Sequence, residues 1–281
     1  MLRSLFAGIS GLRSNQTMLD VVGNNIANAN TAGFKGSNVV FQDTLSQMLT
    51  GAGAPVAGPP AQGGTNPIQI GLGVSVGGTT TNFGQGSAQV TGRATDLMIQ
   101  GDGFFAVRRG QETLYPRAGA FNFDSDGNLV TLDGDLVLGA VGAGGVTAGN
   151  DPNALDAINI DFKTLGVESY SIGGDGKITG IVNGTKQDLG QVAIANFVNP
   201  EGLERAGDTA FRESANSGDV QILAAGDGGA GKIMGGALEM SNVDLAQEFT
   251  NLIIAQRGFQ ATSRVITTSD SVLEELVNIK R

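Results

Sequence analysis

Leu245, Leu252, Phe259, Ile266 and Leu273 recur every seven residues near the end of the chain, and Phe249 and Val277 fall on the neighbouring seam positions. This spacing lays one apolar stripe along a long helix, the pattern of a helix that seeks a partner helix. Gln256, Ser263 and Asp270 interrupt the second seam, where polar residues weaken a simple dimer and can specify register or a larger assembly. Ser241 with Asp244 three residues later resembles a capping box and predicts a helix start at Ser241. At the other end, Leu2, Leu5, Ile9, Leu12, Leu19 and Ile26 fit steps of three and four, with Gln16 and Gly23 as misses. That helix runs out near Asn30 in a stretch dense in Asn, which favours caps and turns, with Gly33 as a left-handed exit. Each terminal helix lacks a partner nearby in sequence. Pairing them with each other, antiparallel or parallel, is the economical arrangement; the plainer reading packs both on an ordinary core.

The middle has a different period. Ile68-Gln69-Ile70 and Val74-Ser75-Val76 alternate as strands do, and Leu97–Ile99, Phe104–Val107, Phe121 with Phe123, Tyr170–Ile172, Ile178–Ile181 and Val192–Phe197 are further short strands. Asp126-Gly127-Asn128, Asp133-Gly134 and Gly174-Asp175-Gly176 are turns between them. The expected fold is α+β: paired N- and C-terminal helices forming a coiled-coil-like inner domain, with a central antiparallel β-rich domain. The inner domain is discontinuous, over 1–36 and 240–281. An extended connector covers 37–90, with its proline- and glycine-rich part at 51–67 extended or mobile in the free monomer. The β-rich outer domain covers 91–225, with a surface loop or lobe boundary at 139–152. A glycine-rich return linker covers 226–239.

Charge sharpens this division. Arg3, Arg13 and Lys35 outnumber Asp20 at the N-terminus, and the last 41 residues nearly balance, so the net charge of −10 resides in the middle. An acidic, solvated body argues against nucleic-acid binding. No apolar run is long enough to span a membrane, and the N-terminus lacks the apolar core and cleavage site of a usual signal peptide.

Candidate chemistry is sparse. The chain has no Cys, His or Trp, which excludes disulfides, thiol chemistry and the commonest general base and transition-metal ligand. Asp124, Asp126 and Asn128 alternate like a calcium loop, but the twelfth position is Asp135 rather than Glu and no flanking helices are predicted, so a β turn is the better reading. The glycine pairs Gly71 with Gly73 and Gly101 with Gly103 lack the strand-to-helix context of phosphate loops. Nothing picks out a carboxylate pair for hydrolysis. No cofactor, metal or enzyme activity is expected.

Three blocks, in order, resemble the bacterial flagellar rod and hook family. The first runs Val22-Gly23-Asn24-Asn25-Ile26-Ala27-Asn28 through Thr31-Ala32-Gly33-Phe34-Lys35. The second is Gly92-Arg93-Ala94-Thr95-Asp96-Leu97 with Gly101-Asp102-Gly103-Phe104-Phe105. The third is Gly236-Ala237-Leu238-Glu239-Met240-Ser241-Asn242-Val243-Asp244-Leu245 with Ala255-Gln256-Arg257-Gly258-Phe259-Gln260. Within the family the resemblance leans to hook subunits, on the Gly127-Asn128-Leu129-Val130-Thr131 hairpin and the Gly258-Phe259-Gln260 ending. The distal rod subunit is the alternative, because the chain is short for a hook subunit.

The resemblance implies a structural homo-polymer without catalysis, in the flagellar hook or basal body outside the cell. It implies export through the flagellar type III apparatus without signal cleavage. Its neighbours would be other rod subunits and the hook-cap and hook-filament junction proteins. The expected assembly interface is Leu2, Leu5, Ile9, Leu12, Leu19, Ile26, Leu245, Phe249, Leu252, Phe259, Ile266, Leu273 and Val277. The two glycine-rich stretches would act as hinges in a bending tube. A rival of another class is a secreted β-rich adhesin or glycan-binding module, which the 5% aromatic content disfavours.

Overall fold

Asp244 starts the C-terminal helix: its Oδ1 accepts hydrogen bonds from the backbone N–H groups of Ala246 at 2.9 Å and Gln247 at 3.3 Å. These are the first-turn amides that a helix leaves without a partner. The cap is thus three residues later than expected, because Ser241 spends its hydroxyl on the N–H of Val243 instead. The computed structural model describes residues 2–55, 63–142, 144–149, 151–152, 155–160, 166–182 and 184–279, without the side chains of Leu2 and Glu168. It contains an N-terminal helix, a C-terminal helix and a large antiparallel β-rich middle. The chain divides into two compact units. One is Met1–Ala27, Ser37–Thr80 and Asp244–Arg281; the other is Asn28–Gly36 and Thr81–Val243.

In the first unit, α1 (Leu2–Ala27) packs along α2 (Leu245–Ile279). Ser4 meets Ser269, Gly8 lies against Ile266, Gly11 against Thr262 and Gly258 against Asn15, so the helices run antiparallel. A Cβ on Gly8 would come within 3.0 Å of Ile266, and one on Gly11 within 2.9 Å of Thr262. The contact is therefore made through small residues, with Gly8, Gly11, Ser14, Val22 and Ala255 buried. Leu5, Leu12, Leu19, Ile26, Leu252, Ile266 and Leu273 are half-buried. Ile9, Leu245, Phe249, Phe259 and Val277 stay exposed.

Within the stretch 37–90 the expected strands at Ile68–Ile70 and Val74–Val76 are present, and they pair with two strands that the sequence reading did not give. β1 (Ser37–Asp43) pairs with β4 (Val74–Thr81), and β2 (Ser46–Thr50) pairs antiparallel with β3 (Ile68–Gly71). Pairing satisfies backbone groups that a bare linker would leave to water. Gly53 and Thr65 bridge beyond β2–β3, whereas the rest of the proline-rich stretch, residues 56–62, lies outside the described residues.

The second unit is organised on the long strand Thr185–Asn196, which changes partners along its length. Lys177–Val182 pairs with its first half, Leu136–Val141 with its middle, and Phe104–Phe105 and Gln221–Ala224 with its end. Alternate residues feed two cores, as a strand of period two must. Phe105, Val137, Val192 and Ile194 lie in one core; Phe104, Leu138, Ala193 and Ala195 lie in the other. The Gly127, Gly134 and Gly176 turns appear where expected, each with a positive φ. The return stretch over 226–239 is not a bare linker. Lys232–Gly235 pairs with Leu97–Gln100, and Ala237–Glu239 pairs with Ala88–Val90. The side chains of Ile233, Ala237 and Glu239 are buried there, so half of the expected hinge is part of the folded unit.

One turn departs from the usual residue choice. Gly207 pairs with Ala210, leaving the two-residue loop Asp208-Thr209 with φ of 50° and 59°. Two consecutive positive φ values match a hairpin turn that favours Asn or Asp followed by Gly. Thr209 is β-branched and strained there, while Asp208 is held by Arg109 at 3.1 Å. Thr209→Gly is expected to stabilise the protein by about 1 kcal/mol, read as a higher urea midpoint at unchanged slope.

Candidate assembly interface

The three sequence blocks converge on a buried ionic clasp in the second unit. Gly33 begins it: its φ of +70° turns the chain, and a Cβ there would lie 2.4 Å from the backbone nitrogen of Ala118, so no side chain fits. The turn sends Phe34 and Lys35 inward. Lys35 Nζ donates to Glu239 Oε1 at 2.6 Å and to the carbonyl of Gly84 at 2.8 Å. The other carboxylate oxygen of Glu239 accepts from Arg117 Nε at 2.6 Å, and Oε1 also accepts from the N–H of Gly86 at 2.8 Å. The Arg117 guanidinium donates further to the carbonyls of Ile99, Gly101 and Gly103. Gly103 must be glycine: its φ is +124°, and a Cβ would sit 2.4 Å from Ile194.

Lys35 and Glu239 are each 1% exposed, and Arg117 is 4% exposed. Burial pushes the Glu239 carboxyl up, but Arg117, Lys35 and the Gly86 N–H together outweigh it and hold the carboxyl below its ordinary value. Burial pulls the Lys35 ammonium below its ordinary value, against the pull of Glu239. Because Glu239 titrates lower folded than unfolded, its contribution is present above the ordinary carboxylate value of 4.5 and disappears as the pH falls through the folded value. Urea stability is thus expected to drop more steeply below pH 4.5 in the wild type than in Glu239→Gln, measured side by side so that the other carboxylates cancel.

Asn242 closes the clasp. Its Oδ1 accepts from the N–H of Gly36 at 2.9 Å, and its Nδ2 donates to the carbonyls of Asn82 at 2.8 Å and Gly84 at 3.0 Å. Ser241 is buried and Val243 half-buried beside it. Asn28 accepts a hydrogen bond from the Thr31 hydroxyl at 3.1 Å, and Phe34 lies under Arg205. Phe104 and Phe105 enter opposite cores, as their adjacency requires. Gly101 takes a φ of +108° and offers its carbonyl to Arg117.

In the first unit, Asn25 is buried and exchanges two hydrogen bonds with the backbone of Ser37, which fixes the start of β1. Asn24 is exposed on α1, and Gln256 and Arg257 are exposed on α2. The exposed members of the apolar stripe, Ile9, Leu245, Phe249, Phe259 and Val277, are joined by Phe6, Ile253, Ile254, Val265, Val272 and Leu276, which the heptad count missed. Arg117 was also missed, although a lone cation inside the apolar run from Leu114 to Gly119 is a signal that a buried anion must answer it.

The geometry offers two devices. The clasp locks three distant segments together, and the helix pair presents apolar surface wider than its own seam. Among the described residues no group of His, Cys, Asp or Glu is arranged to hold a metal, and no helix is long and apolar enough to cross a membrane.

Comparison with known proteins matches three stretches of the chain. A family model described as flagella basal body rod protein matches residues 5–35. One described as flagellar hook protein FlgE/F/G D1 domain matches residues 98–180, and one described as flagellar basal body rod FlgEFG protein C-terminal matches residues 234–279. The chain is 49% identical to the flagellar basal-body rod protein FlgG of Bacillus subtilis over 283 positions, covering all of both chains. It is 36% identical to the FlgG of Caulobacter vibrioides over 276 positions, covering 97% of each. It is 33% identical to the flagellar hook protein FlgE of Borreliella burgdorferi over 444 positions, again covering all of both.

Proposed function

Because the chain belongs to the flagellar rod and hook protein family, whose members are structural rather than enzymatic, we propose that it is a subunit of the basal-body rod. The observation that carries the choice is length. The rod relative with 49% identity aligns over 283 positions, whereas the hook relatives align over 444 and 466 positions against the 281 residues here. The alternative weighed first in the sequence, a hook subunit, has in its favour the end-to-end likeness to hook relatives and the Gly127-Asn128-Leu129 hairpin.

In this reading the antiparallel helix pair is the inner domain, in coiled-coil-like packing, and the β unit is the outer domain. Copies polymerise through the terminal-helix stripe, and the tube transmits torque. The subunit reaches the growing end through the flagellar type III export apparatus, and its neighbours are other rod subunits and the hook. A tube forms when one surface of a subunit binds a different surface of the next and the rotation does not close.

The test is complementation. The gene is placed in one strain lacking its rod subunit and in another lacking its hook subunit. Swimming restored only in the rod-less strain supports the proposal; swimming restored only in the hook-less strain replaces it with the hook reading.

A further inference from the structure

We infer that the clasp also forms one wall of a binding site, which takes a small monocarboxylate with an apolar body. The site lies wholly within the second unit and does not depend on the rod reading. A cavity of about 300 Å³ opens there against Lys35, Arg117, Phe83, Phe104, Phe197 and Asp102. That volume holds one aromatic ring with a substituent, at the small end of ligand pockets. The three phenylalanines close its apolar side: Phe104 packs edge-on against Phe83 at 5.5 Å and against Phe197 at 5.9 Å between ring centroids. Val198, 78% exposed, and Asp102, also exposed, mark its mouth.

The polar side is short of one negative charge. Lys35 and Arg117 carry two positive charges and Glu239 one negative, and each of the three side chains is 4% exposed or less. Arg205 stands behind Lys35, donating to its carbonyl, and adds a further cation rather than an anion. Donors are left over as well. An ammonium has three N–H groups, and Lys35 uses two, on Glu239 and Gly84. A guanidinium has five, and the bonds of Arg117 to Glu239, Ile99, Gly101 and Gly103 use four. Asn196, also on the wall, spends its Oδ1 on the N–H of Phe197 at 2.9 Å, which leaves its Nδ2 as a further donor. A carboxylate supplies the charge and accepts from such donors, and the exchange gains most where the cations are buried. Asp102 is the remaining charged residue on the wall. It is exposed and joins no ion pair among the described residues, so it answers the clasp only weakly. At the mouth it repels a second negative charge, so one carboxylate fits and two do not.

Thermal unfolding of the whole chain, at one ionic strength, reads binding as a shift in Tm. Benzoate near saturation is expected to raise Tm by about 3 °C. Benzamide, its neutral isostere, and phthalate, its dicarboxylate, are each expected to raise it by less than about 1 °C. Asp102→Asn should keep the benzoate shift and gain one with phthalate, since the repelling charge at the mouth is gone. Lys35→Met should lose the benzoate shift; should that variant fail to fold, the exposed Asp102→Asn decides alone. No shift with benzoate, as in a cavity that holds only water, overturns the inference, and so does an equal shift with benzamide. An Asp102→Asn variant that still rejects phthalate, or a folded Lys35→Met variant that still answers benzoate, overturns it too.

Discussion

Glu239→Ala is expected to destabilise the β unit by about 3–5 kcal/mol, because it strands Lys35 and Arg117 as buried cations facing each other without an anion. Each cation has an exposure of 4% or less, so water cannot take the place of the carboxylate without opening the fold. The cost should be non-additive. Lys35→Met in the Glu239→Ala background removes one unpaired charge and is expected to recover about half of the loss, whereas Lys35→Met alone is itself destabilising, since it leaves Glu239 with one cation fewer. Urea unfolding of the four proteins closes the cycle. Additive losses would mean that the three side chains do not act as one network.

The second large effect concerns the helices. Leu252 is half-buried in the helix pair, while Phe249 one turn earlier is exposed. Leu252→Asp is expected to break the pairing of α1 with α2, since an unpaired charge on a packed apolar seam costs several kcal/mol. The helical circular dichroism of the monomer should fall, and polymers should be absent. Phe249→Asp should abolish polymers as completely while changing the monomer spectrum far less than Leu252→Asp, because that side chain is 51% exposed. Sedimentation of both variants against wild type separates the two roles of the stripe. Normal polymerisation of Phe249→Asp would show that the exposed face is not an assembly surface. The same logic extends to Phe259, which is 38% exposed.

The terminal helices and the strands of the middle were legible because each is written as a local period, seven or two residues, that no distant contact has to supply. So were the turns at Gly127, Gly134 and Gly176 and the left-handed exit at Gly33, since only glycine takes those φ values at little steric cost. The three blocks that carry the family were legible as words. The direction of the helix pair was not. It is decided by Gly8 and Gly11 lying against Ile266 and Thr262, a fit of small residues that a count of apolar positions cannot see.

Nor could the sequence say which part of the stripe the pair would use: Leu252, Ile266 and Leu273 are half-buried, while Leu245, Phe249, Phe259 and Val277 stay exposed. The parts of the connectors over 51–67 and 226–239 were read from glycine and proline content. Their strands exist because segments far apart in the chain, Lys232–Gly235 and Leu97–Gln100 among them, satisfy each other's backbone. The clasp is the clearest case. Lys35, Arg117 and Glu239 are separated by 82 to 204 positions, and nothing local marks them as partners. The sequence by itself determined the elements and the family, through periods and words. Only the tertiary structure decided which charges are buried together and which apolar faces are left for another copy, because both depend on which distant surfaces exclude water.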